Sequence, residues 1–119
     1  APAPMTADFL GHVTRNEAHV LESDGAIAGF IISFTQDGHW FVENVAVSPA
    51  HQGLGAGRRL MDFAEDRARE NGCAYVTLYT NVRMTENRAF YAKLGFKRTH
   101  FTREQGFRRV YLAKEVCLS

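Results

Sequence analysis

Along the chain the apolar positions change period several times, and each change marks an element. AHVLES (Ala18–Ser23) has the content of a strand, and Asp24-Gly25 behind it is a strong hairpin signal. AIAGFIISF (Ala26–Phe34) is apolar and rich in isoleucine and phenylalanine, which predicts a second strand. TQDGH makes the next turn. WFVENVAVS (Trp40–Ser48) reads as a third strand whose ladder Pro49 stops, and the three strands form a meander. From about Gly55 to Asn71 the period becomes helical. Leu60, Met61, Ala64 and Ala68 share a face that Phe63 widens, and Arg58, Arg59, Asp62, Glu65, Asp66, Arg69 and Glu70 face water. Asn71-Gly72 is a stop signal. AYVTLYT (Ala74–Thr80) is a strand, and the helical crossover makes it parallel to the third. TENRAFYAKLGF predicts a second helix, with Thr85 as N-cap, Phe90 and Leu94 as an i, i+4 pair and Gly95 as stop. The remainder gives a strand from Phe96, a turn at Glu104-Gln105-Gly106 and a last strand. The order βββαβαββ predicts an α+β fold, a mixed and mainly antiparallel sheet carrying at least two helices.

A chain of 119 residues supports one domain with one core, so residues 1–119 are taken as a single unit. Its 45% hydrophobic and 23% charged residues are those of a soluble globular protein. The formal net charge of +1 gives no field that would gather nucleic acid or an anionic membrane. No apolar run approaches the ~20 residues a membrane helix needs. The start, APAPMTADFL, lacks a secretory signal's basic flank and long apolar core. Cys73 and Cys117 are too few for a disulfide framework, which places the protein in the cytoplasm with reduced thiols. The chain opens on Ala1 rather than Met, so the initiator was removed or residues lie upstream.

The first helix begins in an unusual way. Gln52, Gly53, Leu54, Gly55, Ala56, Gly57 and Arg58 place three glycines in five residues. The first N–H groups of a helix have no internal partner, and Ser, Thr, Asp or Asn usually caps them. None of those types lies between Gln52 and Arg59. Bare backbone lets a ligand approach closely, and the positive end of the helix dipole favours an anion. The stretch therefore reads as a phosphate or pyrophosphate site beside Arg58. The Walker pattern is absent, and the spacing G-x-G-x-G departs from the dinucleotide pattern G-x-G-x-x-G. What fits is Q-x-x-G-x-G on Gln52, Gly55 and Gly57.

VENVAVSPAHQGLGAGRRLMDFAEDRARENG resembles the acetyl-CoA motif of the GNAT superfamily of N-acetyltransferases. NVRMTENRAFYAKLGF resembles that superfamily's second motif, with Asn87, Phe90-Tyr91 and Leu94-Gly95-Phe96. The two cover about half the chain, and the meander and final hairpin fit the family's order. The resemblance implies helices on both faces of the sheet. It implies acetyl-CoA as cosubstrate, with its pyrophosphate on the N–H groups of Gly53, Leu54, Gly55, Ala56, Gly57 and Arg58. It implies pantetheine along Val45, Ala46 and Val47, where the third strand splays from its parallel neighbour. A chain of amides can pair there like a short strand. The N–H of Val47 is then the donor to the thioester carbonyl, and Asn87 is the cofactor contact from the second helix.

Tyr91 stands at the family's usual general-acid position. Glu43 is the candidate base: period 2 puts it on a face with Phe41, Val45 and Val47, and apolar neighbours raise a carboxylate's pKa. The alternatives are a packed tyrosine and a buried glutamate bonded to backbone or arginine. His12, His19, His39, His51 and His100 show no metal spacing, so no metal is expected, and His51 reads as solvated. Cys73 reads as core. Arg98, Arg103, Arg108 and Arg109 lie on the last two strands, either as a solvated, self-paired face or against an anionic acceptor.

Family members usually carry a strand and two helices before the meander. Only about 17 residues precede it here, with MTADFLGHV as the place for a short helix, so the N-terminal elements are expected to be truncated or missing. An open edge or groove left there would be covered by a partner, and a homodimer is expected. The function read from the sequence is acetyl transfer to a primary amine, on a small molecule or a protein, by direct attack in a ternary complex. Two alternatives remain: a non-catalytic acetyl-CoA sensor or scaffold, and a protein using the glycine loop for another nucleotide.

Overall fold

Asp24-Gly25 and Asp37-Gly38 turn the chain in the two hairpins of the meander. All four residues have positive φ, at 53° and 80° in the first pair and 53° and 81° in the second. That is the requirement of the tight turns whose twist matches the strands they join. The computed structural model describes residues 15–104 and 106–116. The MTADFLGHV segment and Cys117 lie outside the described residues. Within them the elements are β1 (Ala18–Ser23), β2 (Ala26–Gln36), β3 (His39–Val47), a 3₁₀ turn (Pro49–His51), α1 (Ala56–Glu70), β4 (Tyr75–Asn81), α2 (Thr85–Lys93), β5 (Lys97–Glu104) and β6 (Phe107–Glu115). The expected order holds, with boundaries moved by one or two residues.

The six strands form one sheet in the order β1-β2-β3-β4-β6-β5. Every neighbouring pair is antiparallel except β3 and β4. Those two are parallel and pair only at Trp40↔Val76 and Phe41↔Thr77. Beyond Phe41 they separate.

One buried cluster holds the helices to the sheet. Leu60, Met61, Ala64 and Ala68 of α1 meet Ile31, Trp40, Val42 and Val76. Tyr91 of α2 and Phe96 after it belong to the same cluster. Both described helices thus pack on one face, whereas the family resemblance implies helices on both. Across the other face runs a row of rings, with Phe34 5.7 Å from Phe41, Phe41 6.1 Å from Tyr79 and Tyr79 5.4 Å from Tyr111.

Two expectations are corrected here. Thr85 is the first residue of α2 rather than its cap. Met84 holds the cap position, with no side-chain capping bond. The entry is instead wound by Asn81, whose Oδ1 accepts from the N–H of Arg83 at 2.8 Å, a local turn of the kind that replaces a cap. The second correction concerns β3. Ser33 pairs with Val42 and Ile32 with Asn44, so Glu43 is an extra residue in a β-bulge. The bulge reverses the alternation. Val45 and Val47 pack against the helix-side core, while Phe41 stacks on the opposite face. Glu43 therefore does not share a face with Phe41, Val45 and Val47 together.

Candidate functional site

The opening between β3 and β4 is the centre of the site. The N–H of Ser48 donates to Ala28 O at 2.8 Å, so it points toward β2. Strand alternation then turns the N–H and C=O of Val47, and the N–H of Val45, toward the opening. The side-chain amide of Gln52 reaches the carbonyl of Val47 at 3.5 Å, consistent with that direction. Among the described residues these groups have no main-chain partner across the fork, and they are what an extended amide chain would pair with.

A cavity of about 130 Å³ occupies the fork, between Glu43, Asn44 and Val45 on β3 and Leu78, Tyr79 and Thr80 on β4, with Asn87 and Tyr91 of α2 above it. A second, of about 490 Å³, continues from it to the glycine loop. Val47, Gln52, Gly53, Gly55, Ala56, Gly57 and Arg58 line this second cavity, as do His51 and Phe90. Val45, Asn87 and Tyr91 line both, so the two are one continuous cleft.

The loop explains why α1 lacks a capping side chain. Gly55 is its N-cap in the left-handed region, with φ 84°, and makes no side-chain capping bond. Gly53 is also left-handed, with φ 80°, and a Cβ on either residue would meet no atom within 4 Å. The space in front of them is open, and the first N–H groups of α1 point into it. This donor set and the positive helix end fit a pyrophosphate.

Tyr91 is buried, and its ring sits 5.2 Å from Phe90 and 5.6 Å from Phe96. Burial pushes its phenol above the ordinary value of 10.0, so the hydroxyl keeps its proton. Glu43 lines the inner cavity with Tyr91, but its side chain is exposed rather than surrounded by apolar groups. Ala46 and Leu54 line neither cavity. Ala46 pairs with Phe30 on β2, and Leu54 is 74% exposed.

From the sequence Phe90 reads as half of an apolar pair and part of a motif, not as a wall of the cleft, and His51 is misjudged. His51 lines the cleft and its Nδ1 is buried without a partner among the described residues, so it is not a solvated bystander. Its place next to Gln52 was the available signal. Of the arginines of the last hairpin, Arg98, Arg103 and Arg108 are exposed, as a solvated face requires. Arg98 and Arg108 lie over the ring of Phe101, at 5.0 and 5.3 Å, and Arg109 lies over Tyr79 at 4.5 Å. Cys73 is buried, as expected of a core residue. Among the described residues no helix is long and apolar enough to cross a membrane, and no cluster of three metal-ligating side chains occurs.

Known proteins match both the sequence and the fold. The profile of the acetyltransferase (GNAT) family matches residues 2–96. A streptothricin acetyltransferase of Streptomyces lavendulae is 39% identical over 77 residues, which are 62% of this chain and 40% of that protein. The chain spans about two fifths of the length of the curated relatives it matches. Among solved structures, a Bacillus subtilis acetyltransferase in complex with CoA superposes with a TM-score of 0.84 at 19% identity, covering 97% of this chain and 86% of that one. Naa20 of Chaetomium thermophilum, in complex with a bisubstrate analogue, gives 0.83 at 18% identity, covering 92% and 72%. At such identities the superpositions speak for the fold.

Proposed function

This chain belongs to the acetyltransferase (GNAT) family, and from that premise we propose that it is an acetyl-CoA-dependent N-acetyltransferase acting on a primary amine. One observation carries the reading: the fork between β3 and β4 and an uncapped helix N-terminus open into one continuous cleft, which offers main-chain partners for a thioester arm at one end and N–H donors for a pyrophosphate at the other.

Acetyl-CoA supplies the activated acetyl group. The residues of the chain bind it and move protons. The N–H groups from Gly53 to Arg58 hold the pyrophosphate, with the Arg58 guanidinium beside them. The outward N–H and C=O of Val47 and the N–H of Val45 orient the pantetheine amides, and the N–H of Val47 is the donor to the thioester carbonyl. Asn87 contacts the cofactor from α2. Tyr91, held protonated by burial, donates to the departing sulfur. Glu43, at the bulge and open to water, takes the ammonium proton of the acceptor through a water, so the amine attacks directly in a ternary complex.

Calorimetric titration with acetyl-CoA, with CoA and NAD as controls, tests the cofactor half. Selective binding of acetyl-CoA and CoA is expected. Thiol release across a panel of primary amines then tests transfer. Binding without thiol release for any amine would favour the sensor reading instead.

A further inference from the structure

Beyond the end of β4 lies an open groove of about 560 Å³ that the acetyl-transfer reading does not use. Three arginines line it, Arg83, Arg103 and Arg108, together with Asn81, Val82 and Phe107. Among the described residues none of the three has a carboxylate partner. Like charges gathered with no counter-charge among the described residues repel one another, so an anion would stabilise the arrangement. Arginine is the side chain whose planar fork matches an oxyanion with two parallel hydrogen bonds.

The walls are held in place by the backbone. The N–H of Val82 donates to Arg108 O at 2.9 Å, and the N–H of Arg83 to Asn81 Oδ1 at 2.8 Å. Nη1 of Arg88 donates to Val82 O at 2.9 Å, which ties the same loop to α2. Arg108 is also seated over the ring of Phe101. Two of the guanidinium groups therefore project from backbone that does not need a ligand to be ordered.

The groove adjoins the reaction cleft. Tyr79 and Thr80 line the cavity that holds Glu43 and Tyr91, and the next two residues, Asn81 and Val82, line the groove. The residues that line the two are thus consecutive along the chain, Thr80 in one and Asn81 in the other. We propose that Arg83, Arg103 and Arg108 form the subsite for an oxyanion carried by the amine acceptor, a carboxylate or a phosphate held at a fixed span from the nitrogen that receives the acetyl group. The proposal rests on the N-acetyltransferase reading, and it names the class of acceptor that reading leaves open.

Matched acceptors test it: unbranched ω-amino acids of four to eight carbons, their amides, and ω-aminoalkyl phosphates of the same length, assayed by thiol release. In the unaltered chain the anionic members should exceed the amides at least tenfold in kcat/KM, and the better of the carboxylate and phosphate series identifies the oxyanion. Arg103→Gln and Arg108→Gln should remove that preference through KM for the acceptor, leaving turnover of the amides and KM for acetyl-CoA unchanged. Amides that match the anionic acceptors overturn the proposal while leaving N-acetyl transfer standing. So does a rise in KM for acetyl-CoA, which would assign the groove to the cofactor's phosphates. A second measurement does not depend on turnover. Inorganic phosphate titrated into the CoA-saturated protein should shift the Nε–Hε NMR signals of Arg83, Arg103 and Arg108 saturably, and unmoved signals overturn the subsite even if every amine proves inert.

Discussion

A Cβ placed on Gly57 would lie 3.2 Å from Cζ of Phe90 and 3.8 Å from Cγ2 of Val47. The start of α1, the middle of α2 and the end of β3 therefore meet at one bare backbone position. Gly57 is a packing glycine, unlike Gly53 and Gly55, whose φ values are what matter. Gly57→Val should push the α2 ring away and cost about 1–3 kcal/mol, the usual range for overpacking. Phe90→Leu in the same chain should return part of that loss. Denaturant midpoints of the two single variants and the double variant measure the coupling, and strictly additive changes would show that the contact does not hold the helices together.

Gly55→Asp should weaken acetyl-CoA binding at least tenfold, roughly 1.4 kcal/mol or more. The change adds a carboxylate at the helix end where the proposed function puts the pyrophosphate, and it also loads a left-handed position. Gly38→Asp separates those effects. Gly38 has nearly the same φ, 81° against 84°, with nothing within 4 Å of its Cβ, but it lies in the β2–β3 turn. Calorimetry should find the affinity lost in the first variant and kept in the second. Equal affinities would remove the pyrophosphate from the loop.

Tyr91→Phe removes only the hydroxyl. Turnover should fall about a hundredfold, within the range of general acid catalysis, with little change in acetyl-CoA affinity. A pH series adds a second readout. Burial raises the folded-state pKa above 10.0, so the neutral phenol's contribution to stability is complete below pH 10.0 and is lost as pH climbs through the folded value. The melting temperature of Tyr91→Phe should therefore decline less steeply than that of the unaltered chain above pH 10.0. Parallel curves would mean the phenol is not desolvated as described.

Much of this could be read from the chain because local rules and global fold agree. The Asp-Gly turns, the stripe of Leu60, Met61, Ala64 and Ala68, and the glycine run are each short-range signals, and each stands where it was expected. The pattern at Glu43 misled, because period 2 assumes an unbroken strand. One extra residue in β3 reversed the faces of Val45 and Val47 and left the carboxylate exposed. No rule of composition reveals a bulge, since it is set by how β2 pairs across the sheet. The cap of α2 misled for a similar reason: Thr85 is a good cap by type, but Asn81, four residues earlier, had already turned the chain. The Arg83 groove was invisible because its walls come from a loop and a hairpin about twenty residues apart.

The last prediction concerns acid stability and the far edge of the sheet. His19 on β1 faces Phe63 of α1, with ring centroids 4.8 Å apart. One turn further along α1, Arg67 lies over Trp40 at 5.6 Å. Burial, and then the Arg67 guanidinium, hold the His19 pKa below its ordinary 6.5. The unfolded chain therefore takes up this proton first. Stability from the neutral ring is present above pH 6.5 and is lost as pH falls through the folded value. His19→Gln should flatten the fall of melting temperature between pH 7 and pH 5. Arg67→Gln should flatten it less, because it removes only the smaller cause and leaves the ring buried. Acetyl-CoA affinity at pH 7 should be unchanged in His19→Gln, since the residue lines neither cavity of the cleft. An equal slope in His19→Gln and the unaltered chain would assign the acid sensitivity to other groups.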